Sequence, residues 1–509
     1  MIDKRKGRVL SAVTISTAAL LVAGLSAPAY AATPVDSAAL REAVTAESII
    51  DHLEQLQLIA DANGGNRAAG TRGHVASAEY VEAQLTAAGY TPERQYFEYT
   101  KVFVDLAVMA ETSPTPTDYA FPVDFYPMDY TGEDDVTADV TAVDINLAGD
   151  RLGTSGCDTD DFAGFPVGDI ALIQRGSCDF AVKAANAEAA GASAVIIFNQ
   201  GNVDPNDDRF GVVRGTLGAP GIVIPVVGTT FAIGEDLATT AGLEMRVGLD
   251  THEEPVETFN VLASTSGRAD RTVLVGAHLD SVTEGPGIND NGSGTMAILE
   301  TALQMAELGI APTNRVTFAF WSGEEDGLIG SDHYVSQLTK RQLKDHAVNL
   351  NFDMVGSPNP VRFVYDGDGD AFGLEGPNGS SVVEDVFLDY FASQGLPTAP
   401  TAFDGRSDYF GFIENGIPAG GLFTGAEDLK TAEEAAIFGG TAGVAYDPCY
   451  HAECDDIDNI DPVVLEQMAD AIAHSTLTFA MTSSAVNGTG KGTKGGSADL
   501  LYKGNQLRR

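Results

Sequence analysis

Residues 256–482 are predicted to form a mostly parallel, doubly wound α/β sheet with helices on both faces. Three observations carry that expectation. Apolar runs of strand length recur at 273–277, 315–321 and 348–355. The first run is followed by Met296, Leu299, Leu303 and Ala306 at helical spacing, so strand and helix alternate. The residues capable of chemistry, among them His278, Asp280, Asp290, Glu324, Glu325 and Asp353, fall just beyond the runs, where open α/β sheets build their sites.

The chain has 509 residues, enough for two or three domains. Residues 1–31 read as a secretory signal peptide. Lys4, Arg5, Lys6 and Arg8 precede an apolar stretch at 10–25, and Ala29-Tyr30-Ala31 supplies a small-residue cleavage site. That apolar stretch is short for a membrane span, and no later one is long enough. The expected product is secreted, extracellular and free of the membrane once the signal is removed.

Residues 37–60 follow a helical pattern with Ile49, Leu53 and Leu56 on one side, broken by Asn63-Gly64-Gly65-Asn66. A second helix is expected at 77–88 and a β-rich stretch at 96–108. Thr112-Ser113-Pro114-Thr115-Pro116-Thr117 reads as a linker. Residues 37–117 and 256–482 are therefore assigned to one domain, interrupted by 118–255. The interruption holds a βαβ segment (strand 169–173, helix 179–190, strand 194–198) and ends at Glu253-Glu254-Pro255. It lacks G-x-G-x-x-G, which argues against a dinucleotide site. With His252 as its single histidine it is read as a non-catalytic insert. Asp461-Pro462 opens a last helix with Leu465, Met468, Ile472 and Phe479 along one stripe. The basic, low-complexity tail 483–509 is expected to be disordered or removable.

The formal charge of −44 argues against nucleic acid as a partner, because phosphate binding needs a basic face. Four cysteines form two near pairs, Cys157 with Cys178 and Cys449 with Cys454. In an oxidising compartment they read as two disulfides, and no C-x-x-C supports a zinc–thiolate alternative.

Borderline zinc takes imidazole and carboxylate ligands, and two ions can share one carboxylate. Five side chains then suffice, and the chain offers His278, Asp290, Glu325, Asp353 and His451. Glu324 is left beside Glu325 as the natural general base. Competing signatures are missing: there is no H-E-x-x-H, and no G-x-S-x-G. His52, His74, His252, His333, His346 and His474 are assigned surface or structural roles. The glycosylation triplet Asn291-Gly292-Ser293 is read as coincidental.

Six motifs run through the domain: Ala277-His278-Leu279-Asp280-Ser281, Gly287-Ile288-Asn289-Asp290-Asn291-Gly292-Ser293-Gly294, Ser322-Gly323-Glu324-Glu325, Phe352-Asp353-Met354, Phe403-Asp404-Gly405-Arg406-Ser407-Asp408-Tyr409 and Tyr446-Asp447-Pro448-Cys449-Tyr450-His451. By these motifs residues 37–110 and 258–482 resemble the secreted co-catalytic zinc aminopeptidases of the bacterial leucyl aminopeptidase type, with their zinc-peptidase/phosphorylase-like fold. Residues 118–255 resemble an inserted protease-associated domain of mixed α/β structure. The resemblance implies that His278 and Asp353 hold one Zn2+, Glu325 and His451 the other, and that Asp290 bridges both. It implies Glu324 as general base, Tyr450 as hydrogen-bond donor to the oxyanion, and Asp280 orienting His278. It places Glu324, Asp353 and the Arg406 carbonyl around the substrate's free amine, and Met354, Gly405 and Phe423 along the first side-chain pocket.

The activity so implied is metal-activated hydrolysis of N-terminal, apolar, Leu-like residues from peptides or proteins. Two alternatives stand beside it: a single-zinc cyclase of the same fold, and an inactive binding protein carrying a protease-associated domain. Calcium binding, oligomeric state, the insert's role and processing of the tail are left open by the sequence.

Overall fold

The computed structural model describes residues 35–202, 209–218 and 220–487. The signal-peptide reading falls outside them, as does the tail beyond Asn487. Within the tail's expected range, Ser484–Asn487 forms a helical turn whose Val486 is buried in the main core, so the fold runs past 483.

The strand Arg268–His278 lies at the centre of the larger α/β unit, parallel to Asn314–Trp321 on one side and to His346–Phe352 on the other. His346–Phe352 is in turn parallel to Ala419–Phe423. The alternation of side chains sends successive residues to opposite faces. Val273, Val275 and Ala277 enter a core shared with helices Ala46–Ala62, Gly294–Glu307 and Pro462–Met481. Leu274 packs on the other face with Ala319, Trp321, Val335 and Phe412. The expected mostly parallel sheet with helices on both faces is what forms. Gly276 makes room for the Trp321 indole, since a Cβ there would stand 2.6 Å from its Nε1.

The N-terminal helical pattern resolves into Ala38–Ala43 and Ala46–Ala62, because Thr45 turns extended and accepts from the Ser48 N–H at 3.2 Å. Such a cap contributes about 1 kcal/mol. The second helix starts earlier than expected, at Arg72, with Thr71 as its cap. Asp461 caps the last helix by accepting from Val463 N and Val464 N at 2.8 and 3.2 Å.

Two long strands, Glu93–Ser113 and Glu244–Ser264, pair antiparallel from Glu93–Leu262 to Ser113–Glu244. Their near half borders Asn314–Trp321, where Ala263 pairs with Phe318. Their far half meets Asp134–Val143 of the insert, where Val247 pairs with Val136. This ribbon passes unbroken through the position read as the end of the insert. Pro255 lies in it opposite Thr100, between the stretches of its strand that pair with Asn314–Trp321 and with Asp134–Val143.

The insert stacks Asp134–Val143, Ile170–Gln174, Ala194–Phe198 and Val226–Thr229 in parallel. Helix Phe180–Ala190 covers one face and Phe231–Thr239 the other. Both disulfides form, Cys157–Cys178 and Cys449–Cys454.

Candidate functional site

The prominent polar side chains converge where the parallel strands end. His278 is the last residue of its strand and is fully buried. Asp353 follows Phe352, and Glu324 and Glu325 follow the strand that ends at Trp321. Asp290 lies in the irregular turn Ile288–Ser293 ahead of helix Gly294–Glu307. His451 comes from the loop closed by Cys449–Cys454.

His278 Nε2 stands 3.2 Å from Asp290 Oδ1 and 3.4 Å from Asp353 Oδ1. On the other side His451 Nε2 stands 3.2 Å from Asp290 Oδ2 and 3.0 Å from Glu325 Oε2. Asp290 thus turns one oxygen to each imidazole. His278 Nε2, His451 Nε2 and both oxygens of Asp290 and of Glu325 are buried and outside hydrogen-bond geometry with any neighbour. Buried polar atoms so arranged are costly unless something coordinates them.

A zinc ion fits that requirement. Ligands about 2.0–2.1 Å from a tetrahedral zinc lie about 3.3 Å from one another, near the spacings around each imidazole. His278, Asp290 and Glu325 each bring one potential ligand atom to within 4.8 Å of the others, and so do His278, Glu324 and Asp353. Proximity alone therefore does not separate Glu324 from the ligands.

The electrostatics point the same way. Burial would lower the His278 imidazole, yet Asp353, Glu324 and Asp290 raise it well above its ordinary value. Burial is likewise outweighed at His451, where Glu325 and Asp290 raise the imidazole to about 10. Asp290 lies well below the usual carboxylate range because both imidazoles outweigh its burial. The carboxylates outnumber the imidazoles, and divalent cations would supply the missing positive charge.

A shell of polar contacts holds these groups. His278 Nδ1 lies 3.2 Å from the backbone carbonyl of Asp280, and 3.9 Å from that residue's carboxylate. The sequence reading had the carboxylate orient the ring. In the fold the carbonyl takes the short contact, and Asp280 Oδ1 accepts the Glu324 N–H at 3.4 Å instead. Burial raises the Asp280 carboxyl to about 7. Ser407 donates to Asp353 Oδ2 at 2.5 Å, which leaves Oδ1 toward His278.

Asp455 accepts from Asn289 N at 2.8 Å and Asp290 N at 3.0 Å, so it fixes the backbone of the shared carboxylate. Arg67 is wholly buried and donates to the carbonyls of Leu279, Pro286 (2.8 Å) and Gly287 (2.5 Å), pinning the chain between His278 and Asp290. Burial lowers its pKa to about 10 despite nearby Asp280 and Asp455. The sequence reading missed Arg67, Asp455 and the role of Ser407. A lone arginine in Asn66-Arg67-Ala68-Ala69-Gly70, directly after the stretch read as a helix break, was the available signal.

The Tyr450 and His451 rings stack with centroids 3.8 Å apart. Arg406 donates to Glu427 Oε1 at 2.7 Å and to Tyr450 Oη at 3.4 Å. Gly405, at φ +87°, donates its N–H to Tyr409 Oη at 2.8 Å. Met354 is buried and Phe423, half-buried, stacks on Phe363 at 5.9 Å. The other histidines have local partners: His52 with Tyr80, His74 with the Phe259 carbonyl, His252 with Asp105, His333 stacked on Phe97, His346 with Tyr334 and His474 with Ser37. Asn291 is buried and donates to the Phe352 carbonyl at 2.9 Å, so its amide is committed inside the fold.

Known proteins resemble this chain over most of its length. The profile of peptidase family M28 matches residues 260–476, and that of the PA domain matches 136–237. An aminopeptidase of Pseudomonas aeruginosa is 46% identical over 465 residues, covering 90% of this chain and 85% of that protein. Leucine aminopeptidase 2 of Arthroderma otae is 36% identical, over 87% of this chain and 85% of its own. Among solved structures, an aminopeptidase from Aneurinibacillus sp. strain AM-1 matches with a TM-score of 0.66 at 25% identity, covering 87% of this chain and 96% of its own. A zinc aminopeptidase from Bacillus subtilis matches with a TM-score of 0.60 at 25% identity, over 87% and 98%.

Proposed function

Because the chain belongs to peptidase family M28 and is an aminopeptidase with an inserted PA domain, we propose that it is an exported, two-zinc enzyme that removes apolar N-terminal residues from peptides. The observation that carries the two-zinc reading is Asp290, whose two carboxylate oxygens face different buried imidazoles at 3.2 Å each. His278 and Asp353 would hold one ion, Glu325 and His451 the other, and Asp290 both. A single-ion reading leaves one imidazole–carboxylate pair buried without use. When bound, the zinc ions supply a polarised scissile carbonyl and a water acidic enough to attack at neutral pH.

The protein's own groups do the rest. Glu324 takes the proton of the attacking water onto its carboxylate and hands it to the leaving nitrogen as the C–N bond breaks. The Asp280 carboxylate, accepting the Glu324 N–H, holds that residue's backbone. Tyr450, packed against His451, donates its hydroxyl hydrogen to the developing oxyanion. The substrate's ammonium group sits against Glu324, Asp353 and the Arg406 carbonyl. Its first side chain enters between Met354, Gly405 and Phe423, an apolar lining that suits Leu, Met or Phe. The similarity to a leucine aminopeptidase supports that preference.

We assign the catalytic domain to 37–117 and 256–482, with 118–255 as an insert that gives the site no ligand. Export is supported by the signal-like N-terminus and by two disulfides, which suit an oxidising compartment. Among the described residues no helix is long and apolar enough to cross a membrane. Aminoacyl chromogenic substrates with several first residues, assayed with and without a chelator, test the reading. Hydrolysis led by Leu, Met and Phe and abolished by the chelator is expected.

A further inference from the structure

The ribbon that carries the insert also grips the loop that carries Glu324 and Glu325. The loop is a compact turn: Gly327 N and Leu328 N both donate to the Glu324 carbonyl, at 2.8 and 2.9 Å, and Ile329 N donates to the Gly323 carbonyl at 2.9 Å. Asp326 lies inside that turn, one residue past Glu325. Its carboxylate receives the phenolic hydrogen of Tyr99 and the Lys101 ammonium, with Nζ 2.7 Å from Oδ1 and 3.0 Å from Oδ2. The Lys101 and Asp326 side chains are 18% and 15% exposed, so water screens the pair only in part. Residues two apart on a strand share a face, so Tyr99 and Lys101 reach the loop together.

The other strand of the ribbon holds the root of the same loop. Thr258 Oγ1 and Ser322 Oγ are 2.7 Å apart, Asn260 accepts from Ser322 N at 3.1 Å, and it donates to the Gly330 carbonyl at 2.8 Å. The turn is thus held at its root by Thr258 and Asn260 and at its tip by Tyr99 and Lys101. Of these four, Tyr99 and Lys101 contact the part of the turn next to Glu324 and Glu325, at Asp326.

We propose that Tyr99 and Lys101 are positioning residues for the reaction, acting through Asp326 to hold Glu324 and Glu325 in register with the two imidazoles. The inference rests on the roles proposed above for Glu324 and Glu325. Its chemistry is simple: two donors from one strand clamp a single carboxylate, that of Asp326, one residue past Glu325. Because the clamp sits on the ribbon and not in the insert, the insert's removal leaves it in place.

The test is a double-mutant cycle on the full-length, zinc-loaded enzyme with a leucyl chromogenic substrate. Lys101→Met and Asp326→Asn are each expected to lower kcat about 10-fold, with KM within about 2-fold, because a small misplacement of catalytic groups acts mainly on turnover. The double variant should be no worse than either single one, and Lys101→Arg should recover most of kcat. Tyr99→Phe, which removes one hydrogen bond and keeps the ring, should lower kcat about 3-fold and serves if the charge variants fail to fold. Zinc content should match the wild type throughout. The proposal is overturned if kcat stays within about 2-fold of wild type in these variants, if KM alone moves, or if the two single effects multiply in the double variant. Glu324→Gln, run beside them, separates the two levels: full activity there would sink the underlying reading, whereas an inactive Glu324→Gln with normal clamp variants sinks only the clamp.

Discussion

Glu324 and Glu325 are neighbours in the chain but address different histidines: Glu324 Oε2 lies 3.8 Å from His278 Nε2, and Glu325 Oε2 lies 3.0 Å from His451 Nε2. The two carboxylates should therefore fail differently. Glu324→Gln is expected to cost ~10²–10⁴-fold in kcat while zinc content is unchanged, the usual effect of losing a general base. Glu325→Gln should lower zinc content, because it removes the proposed ligand on the His451 side. Metal analysis beside steady-state kinetics reads both; zinc loss from the Glu324 variant with full retention in the Glu325 variant would reverse the assignments.

His74 should make the fold acid-sensitive over a defined window. Its ring is buried, with Nε2 3.3 Å from the Phe259 carbonyl, and burial lowers its pKa from 6.5 to about 4. Above pH 6.5 the ring is neutral in both states and costs nothing. As pH falls from 6.5 toward 4 the unfolded chain takes up a proton that the folded ring refuses, so stability drops; below 4 the loss levels off. The full loss is about 3–4 kcal/mol by linkage. His74→Gln, which keeps a donor, should remove that part of the slope. Urea unfolding of both proteins at pH 7 and pH 4.5 measures it, and identical slopes would contradict the account.

Cutting out the insert should leave the zinc site whole. Val104 and Thr251 are paired in the ribbon, so replacing 105–250 by Asn-Gly closes a two-residue hairpin. This cut also removes Met109, Met245, Val247 and Leu249, which would otherwise lose their apolar cover. The shortened enzyme should hold as much zinc as the full chain and cleave a short leucyl substrate with kcat within about 3-fold. Loss of zinc in a soluble, folded product would mean that the insert shapes the site directly.

Much of this site was legible because its parts are local. His278, Glu324 and Asp353 each follow a run of strand residues, and Asp290 lies in a Gly-rich turn before a helix, so each announces itself within a few residues. Arg67 does not: its partners are backbone carbonyls more than 200 positions away, at Leu279, Pro286 and Gly287, which no motif encodes. The ribbon was illegible for a related reason. Pairing between strands on either side of an insert leaves no local mark, and Pro255 reads as a break although one-sided pairing tolerates it. Asp280 was legible as a residue and not as a role, since sequence cannot say whether its carboxylate or its carbonyl meets the ring.

Substrate choice tests where the amine is held. A free α-amine is cationic, and Glu324 and Asp353 offer charge for it beside His278. Peptides with unblocked Leu, Met or Phe should be cleaved, and their N-acetylated forms should be cleaved far more slowly. Comparable kcat/KM for the acetylated peptide would refute anchoring by the amine, whatever the metal content.

The central claim is that Asp290 bridges two zinc ions. The direct measurement is a zinc titration of chelator-stripped full-length enzyme, following leucyl hydrolysis and protein-bound metal together. Activity should be negligible without metal, and bound zinc should saturate at two per chain. Saturation at one zinc per chain with full activity, or full activity in the stripped protein, would contradict it.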